Sequence, residues 1–138
     1  MNKKLGWTLG LMSVVILGIG LALFSVPPSN VQYVTSQDAL ALMQTNQGRN
    51  DFVLLDLRTP DEYRRGHIPG ARLLDFNDAG FDDWLMDLDK NKTYLILCQS
   101  GYRSNKAASM MSSMGFTHVY NMGGGMDEWA GQRLPTVR

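Results

Sequence analysis

Two short apolar runs bounded by charge stand out in the middle of the chain: FVLL within DFVLLDLR (Asp51 to Arg58) and YLIL within KTYLILC (Lys92 to Cys98). Neither alternates with polar residues, which is the mark of a strand buried on both faces. Around them the period lengthens to that of helices. SQDALALMQTNQG predicts an amphipathic helix, with Ser36 or Thr35 as N-cap and Gly48 as its stop. FDDWLMDLDKN sets Phe81, Trp84, Leu85 and Leu88 on one helical face. SNKAASMMSSMG predicts a third helix, stopped by Gly115, with Ala107, Ala108, Met111 and Met114 inward. VQYV and HVYNM read as further strands, and a return strand is expected near Ala71 to Leu74, after a helical turn at Pro60 to Arg64. A last short helix is expected around Met126 to Ala130. Alternating strand and helix predicts an α/β domain with a mainly parallel sheet.

Ahead of this pattern, Leu5 to Val26 contains no ionisable side chain, with Lys3 and Lys4 before it and no charge after it until Asp38. About 20 such residues suffice to span a bilayer as a helix. Residues 1–26 are therefore expected to be a transmembrane anchor or a signal segment. The small residues wanted before a cleavage site are poorly matched, since Leu23 precedes Ser25. PPSN (27–30) reads as a linker, because two prolines stop what precedes them. The globular part is then 31–138. The lysines are expected on the cytoplasmic side. That leaves the domain anchored outside the cytoplasm, or periplasmic or secreted if the segment is cleaved.

Composition narrows the chemistry. Thirteen basic residues balance thirteen acidic ones, so nothing global points to nucleic acid. One cysteine makes no intramolecular disulfide, and with His67 and His118 far apart there is no zinc-ligand spacing.

That cysteine, Cys98, closes the second apolar run, and ligands of parallel sheets bind at the carboxyl ends of strands. A thiol reacts as its thiolate. Three features after Cys98 favour the anion. Gly101 allows a tight loop whose N–H groups from Gln99 to Ser104 converge on the sulfur. Arg103 brings a permanent positive charge. Ser104 is expected to cap the following helix and present its N-terminus. The spacing from Cys98 to Arg103 is C-x4-R. Cysteine-dependent phosphatases use C-x5-R, and the shorter cradle suits one extra sulfur on the cysteine better than a phosphate.

The loop CQSGYRS resembles the active-site loop of the single-domain rhodaneses, a family of sulfurtransferases. LLDLRTPDEYRRGHIPGA (Leu54 to Ala71) is similar to that family's D-x-R and E-[YF]-x-x-G-H-I-x-G-A segment, and NMGGGMDEWAG to its closing G-G-x-x-x-W stretch. The three lie in the family's order across nearly all of 31–138. The resemblance implies a rhodanese-like α/β fold, with helices on both faces of the central sheet. It also implies a two-step transfer without metal or organic cofactor. Cys98 takes the outer sulfur of a donor such as thiosulfate and passes it to cyanide or a thiol, a protein thiol included. Gln99, Ser100, Gly101, Tyr102, Arg103 and Ser104 form the substrate-binding loop. Asp56 and Arg58 look like supporting residues, and a structural ion pair is the natural reading, since buried charges need partners.

Several alternatives stay open. The domain could carry persulfide for a membrane or exported partner, act as a phosphatase or arsenate reductase, or serve as a non-catalytic interaction module. His67 in GHIPGA reads as a loop histidine bonded to backbone, because an ionised thiol needs no base. Gly123 to Gly125 lack the Lys-Ser/Thr of a phosphate loop and read as turn geometry. Tyr102 is placed to narrow the mouth of the site, and a loop with one cation favours donors other than dianionic thiosulfate.

Overall fold

The computed structural model describes residues 30–138 and places the two apolar runs side by side at the centre of one sheet. In chain order the elements are β1 (Val31–Val34), α1 (Ser36–Thr45), β2 (Phe52–Asp56), α2 (Pro60–Arg65), β3 (Arg72–Leu73), α3 (Phe81–Asp87), β4 (Thr93–Leu97), α4 (Tyr102–Ser113), β5 (His118–Met122) and α5 (Gly125–Gly131). The five strands lie in the order β1-β5-β4-β2-β3, and every ladder is parallel. Leu55 pairs with Ile96 and Asp56 with Leu97, so β2 and β4 end at the same level. The apolar stretch expected to engage a membrane falls in residues 1–29, outside the described residues. Among the described residues no helix is long and apolar enough to cross a membrane.

The unbroken apolar runs follow from the layering. Successive strand residues point to opposite faces, and both faces here are covered. Leu55, Tyr94, Ile96, Cys98 and Val119 pack on one side against Phe81 and Leu85 of α3 and Ala107, Ala108 and Met111 of α4. Leu54, Leu95, Leu97 and Met122 pack on the other against Ala39 of α1 and Met126 and Trp129 of α5. The helices thus lie on both faces, as the resemblance implied. The small Ala107 and Ala108 let α4 lie close to β4, whose carboxyl end carries Cys98.

Two local expectations are corrected. Trp84 is not on the inner face of α3, where it was expected beside Phe81 and Leu85, but 59% exposed. The helix has only seven residues and packs along its Phe81–Leu85 edge. Leu88 is already its extended C-cap, which leaves no third turn to draw Trp84 inward. Secondly, α4 begins at Tyr102 rather than at Ser104. Gly101, at φ 98°, makes the left-handed turn into it, so Ser104 is its third residue and not its cap. At α1, Thr35 rather than Ser36 is the cap, in a reciprocal capping box with Asp38.

The two tryptophans in question provide a stability test. Trp129 is fully buried and its indole N–H donates to the Pro135 carbonyl at 2.9 Å. Trp129→Ala is expected to cost about 3–5 kcal/mol in urea unfolding. Trp84→Ser is expected to stay within about 0.5 kcal/mol of wild type. An equal cost at both positions would contradict this packing.

Candidate active site

Cys98 is the first residue beyond β4, and its direction is set by hydrogen bonds made elsewhere. The N–H of Met126 donates to the Cys98 carbonyl at 2.9 Å, and that of Asp127 to the Gln99 carbonyl at 3.0 Å. In a trans peptide the C=O and the following N–H point in opposite directions. Anchoring these two carbonyls on α5 therefore turns the N–H groups of Gln99 and Ser100 away from α5. The glycine run makes the approach possible. A Cβ on Gly125, itself at φ 60°, would lie 2.5 Å from both carbonyl oxygens. The run read as a turn is a seat for the cysteine loop.

The sulfur itself is enclosed, Cys98 being only 1% exposed. The Gly101 N–H donates to Sγ at 3.1 Å and the Ser104 N–H at 3.5 Å. The Ser104 hydroxyl lies 3.6 Å from Sγ and 3.2 Å from the Gly101 carbonyl, so its proton has two acceptors within reach. Burial pushes the thiol pKa up, but donors from Ser104, Gly101 and Ser100 outweigh it, and the net shift is below the ordinary value. Of the N–H groups expected to converge on the sulfur from Gln99 to Ser104, those of Gly101 and Ser104 reach it. Ser104 serves it from inside the first turn of α4.

Arg103 is placed differently from the expectation of a free cation. Its Nη1 and Nη2 donate to the two oxygens of Glu62 at 2.8 and 2.9 Å. Glu62 caps α2 as well, accepting from the Thr59 N–H at 2.8 Å and from its hydroxyl at 3.0 Å. The Arg103 hydrogen bonds lead in holding the Glu62 carboxyl down at about 2, partly opposed by burial and helped by Thr59. Arg103 is pulled further into the charged state chiefly by Glu62, and also by the Cys98 sulfur. The guanidinium is thus committed through two hydrogen bonds to Glu62.

Asp56 and Arg58 form the expected buried pair, bidentate at 3.0 and 2.7 Å. Arg58 also donates to the Gly66 carbonyl at 2.7 Å and to the Gln99 side chain at 3.3 Å. Gln99 in turn donates to Asp127 at 2.6 Å. The pair braces the loop through Gln99 instead of meeting the sulfur. Tyr102 does not cover the mouth: its ring is 65% exposed, with the Lys106 ammonium 4.5 Å from its centroid. Ser100 is exposed at the loop tip. His67 stacks on Tyr63, its Nδ1 3.1 Å from the Tyr63 carbonyl, as a structural histidine would. A cavity of about 470 Å³ opens beside the loop, lined by Arg58, Glu62, Arg65, Gln99 and Met126 among others.

The family model of the rhodanese-like domain matches residues 36–132. The chain belongs to the rhodanese-like family. A thiosulfate sulfurtransferase GlpE of Pseudoalteromonas translucida is 36% identical over 81 residues, covering 59% of this chain and 75% of that protein. A sulfurtransferase of Allochromatium vinosum is 33% identical over 104 residues, covering 75% of this chain and 95% of that one. The solution structure of a polysulfide-sulfur transferase homodimer from Wolinella succinogenes superposes with a TM-score of 0.63 at 26% identity, covering 78% of this chain and 79% of that chain. Within this rhodanese-like domain, sequence reasoning missed Glu62 and Asp127 as partners of the loop. Thr59-x-x-Glu62 is a capping-box signature that fixes where Glu62 sits. Nothing local announces its pairing with Arg103, 41 residues away.

Two outcomes check this geometry. The rate of Cys98 alkylation by iodoacetamide should follow a pH midpoint below 9.0, the ordinary value for the thiol, and Ser104→Ala should move that midpoint upward. Gly125→Ala should cost at least about 1–3 kcal/mol in thermal or urea unfolding, from its positive φ alone.

Proposed function

We propose that this rhodanese-like protein moves sulfane sulfur from a small donor to a thiophilic acceptor through a persulfide on Cys98. The observation that carries the reading is the cradle: a buried sulfur receiving two main-chain N–H bonds, from Gly101 and Ser104. Such donors stabilise an anionic sulfur without reorganising, both as thiolate and as persulfide. The names of the relatives from Pseudoalteromonas and Allochromatium point the same way.

In the first half-reaction the Cys98 thiolate attacks the outer sulfur of the donor. With thiosulfate, the new S–S bond forms as the old one breaks, and sulfite leaves with the electron pair. Cys98 is left as a persulfide anion, so no net charge or proton is exchanged with the protein. In the second, cyanide or a thiolate attacks the terminal sulfur, and the Cys98 thiolate is released. Splitting the transfer in two replaces one difficult encounter by two easier ones. The donors around Sγ favour the thiolate, and a thiolate nucleophile needs no general base. Gln99 to Ser104 hold the charge, and Asp56 and Arg58 keep the loop in place. The apolar run at 5–26 supports attachment to a membrane or export, with the domain working outside the cytoplasm.

The test is intact mass of the full chain after exposure to thiosulfate and removal of the excess. Wild type should gain one sulfur atom and lose it to cyanide with release of thiocyanate. Cys98→Ser should gain nothing. Thiocyanate release at steady state separates an enzyme from a carrier that loads and holds its sulfur. No adduct from thiosulfate or from a small-molecule persulfide would overturn the proposal.

A further inference from the structure

Arg103 is the second residue of α4, where a cation opposes the helix dipole and is unfavourable unless an anion faces it. In this structure the facing anion is a side chain. Glu62 meets the guanidinium through both oxygens. Its position does not depend on Arg103, because the same carboxylate closes the capping box of α2 on Thr59. Both side chains are largely buried, 17% exposed for Arg103 and 20% for Glu62, which limits screening by salt. Arg58 is already matched by Asp56. The two guanidinium groups bound to the loop and its brace, Arg58 and Arg103, are therefore each matched by a carboxylate, and of the cations lining the cavity beside the loop Arg65 stands further out, exposed on α2.

We propose that Glu62 sets the charge class of the sulfur donor: by neutralising Arg103 beside Cys98, it selects against dianionic thiosulfate and in favour of singly charged or neutral donors such as low-molecular-weight persulfides. The inference rests on the sulfurtransferase reading above and deepens it. With a persulfide R–S–SH, the Cys98 thiolate attacks the outer sulfur, the donor's own S–S bond breaks, and RS⁻ departs with the electron pair. The proton stays on the transferred sulfur, so atoms and charge balance with one negative charge on each side. This exchange brings at most one added charge to the loop, whereas thiosulfate brings two.

Glu62→Gln is the discriminating variant. Glutamine keeps the oxygen that accepts from the Thr59 N–H and from one guanidinium nitrogen, since Glu and Gln both serve at this capping position; it removes the charge together with the second acceptor for Arg103. The readout is the ratio of second-order rate constants for Cys98 alkylation by iodoacetate, an anion, and by iodoacetamide, its neutral counterpart. The ratio cancels the thiolate fraction and reports the potential at the sulfur. E62Q should raise it about fivefold at low ionic strength, with the gain shrinking in about 0.5 M salt. R103Q, which leaves Glu62 unmatched, should lower it by a similar factor. The double variant should return to the wild-type ratio. In turnover, E62Q should lower the KM for thiosulfate by about the same factor and change kcat less. A purely structural role would move both alkylation rates together. An unchanged or lowered ratio in E62Q overturns the proposal, as does a double variant that fails to return to wild type. Should E62Q not fold, an unchanged ratio in R103Q overturns it as well. Alkylation involves no sulfur transfer, so absence of a persulfide in wild type counts against the sulfurtransferase reading alone.

Discussion

The carbonyls of Cys98 and Gln99 accept from the N–H groups of Met126 and Asp127, and the geometry of the reactive centre depends on these two hydrogen bonds. They join the end of β4 to the start of α5 across the place where a sheet of this order leaves an opening. Because a peptide group is planar, holding its oxygen on one side directs its N–H to the other. The start of the loop is thus oriented from outside it, by α5. The inward turn at Gly101 and the start of α4 complete the cradle around the sulfur from the other side.

The charged residues of the site form a set of pairs, each with a mechanical task. Asp56 and Arg58 sit where β2 leaves the sheet, and taking both out of water is costly unless every polar atom is met. Arg58 meets that condition by reaching the Asp56 carboxylate, the Gly66 carbonyl and Gln99. The pair consequently fixes the path of the chain after β2 relative to the cysteine loop. Glu62 and Arg103 do the same between α2 and α4.

Much of this was legible in the chain. Four-residue apolar runs without alternation identified β2 and β4 as doubly buried, and Cys98 at the end of one of them located the site. Glycine at 101 announced the tight turn. What could not be read was contact between residues distant in sequence. Glu62 and Arg103 are 41 positions apart, and Gln99 and Asp127 are 28 apart; neither pair leaves a local pattern. For Trp84, apolar periodicity assigns a face but not the roll of a seven-residue helix, which Phe81 and Leu85 decide. Ser104 has the look of a cap in sequence because a serine before an apolar helix usually is one. Gly101 had already turned the chain, and the hydroxyl was free to face the sulfur.

The donors that reach Sγ are mainly N–H groups of the main chain, which every residue except proline possesses. The N–H donors to the Cys98 sulfur are therefore supplied whatever side chains the exposed residues of the loop carry. Ser100 and Tyr102 are exposed, and substitutions there can reshape the rim without disturbing the thiolate beneath. Such a division leaves the chemistry in the backbone and the preference for donor or acceptor in the side chains. New specificities can then arise by single replacements, each tried on a reactive centre that stays intact.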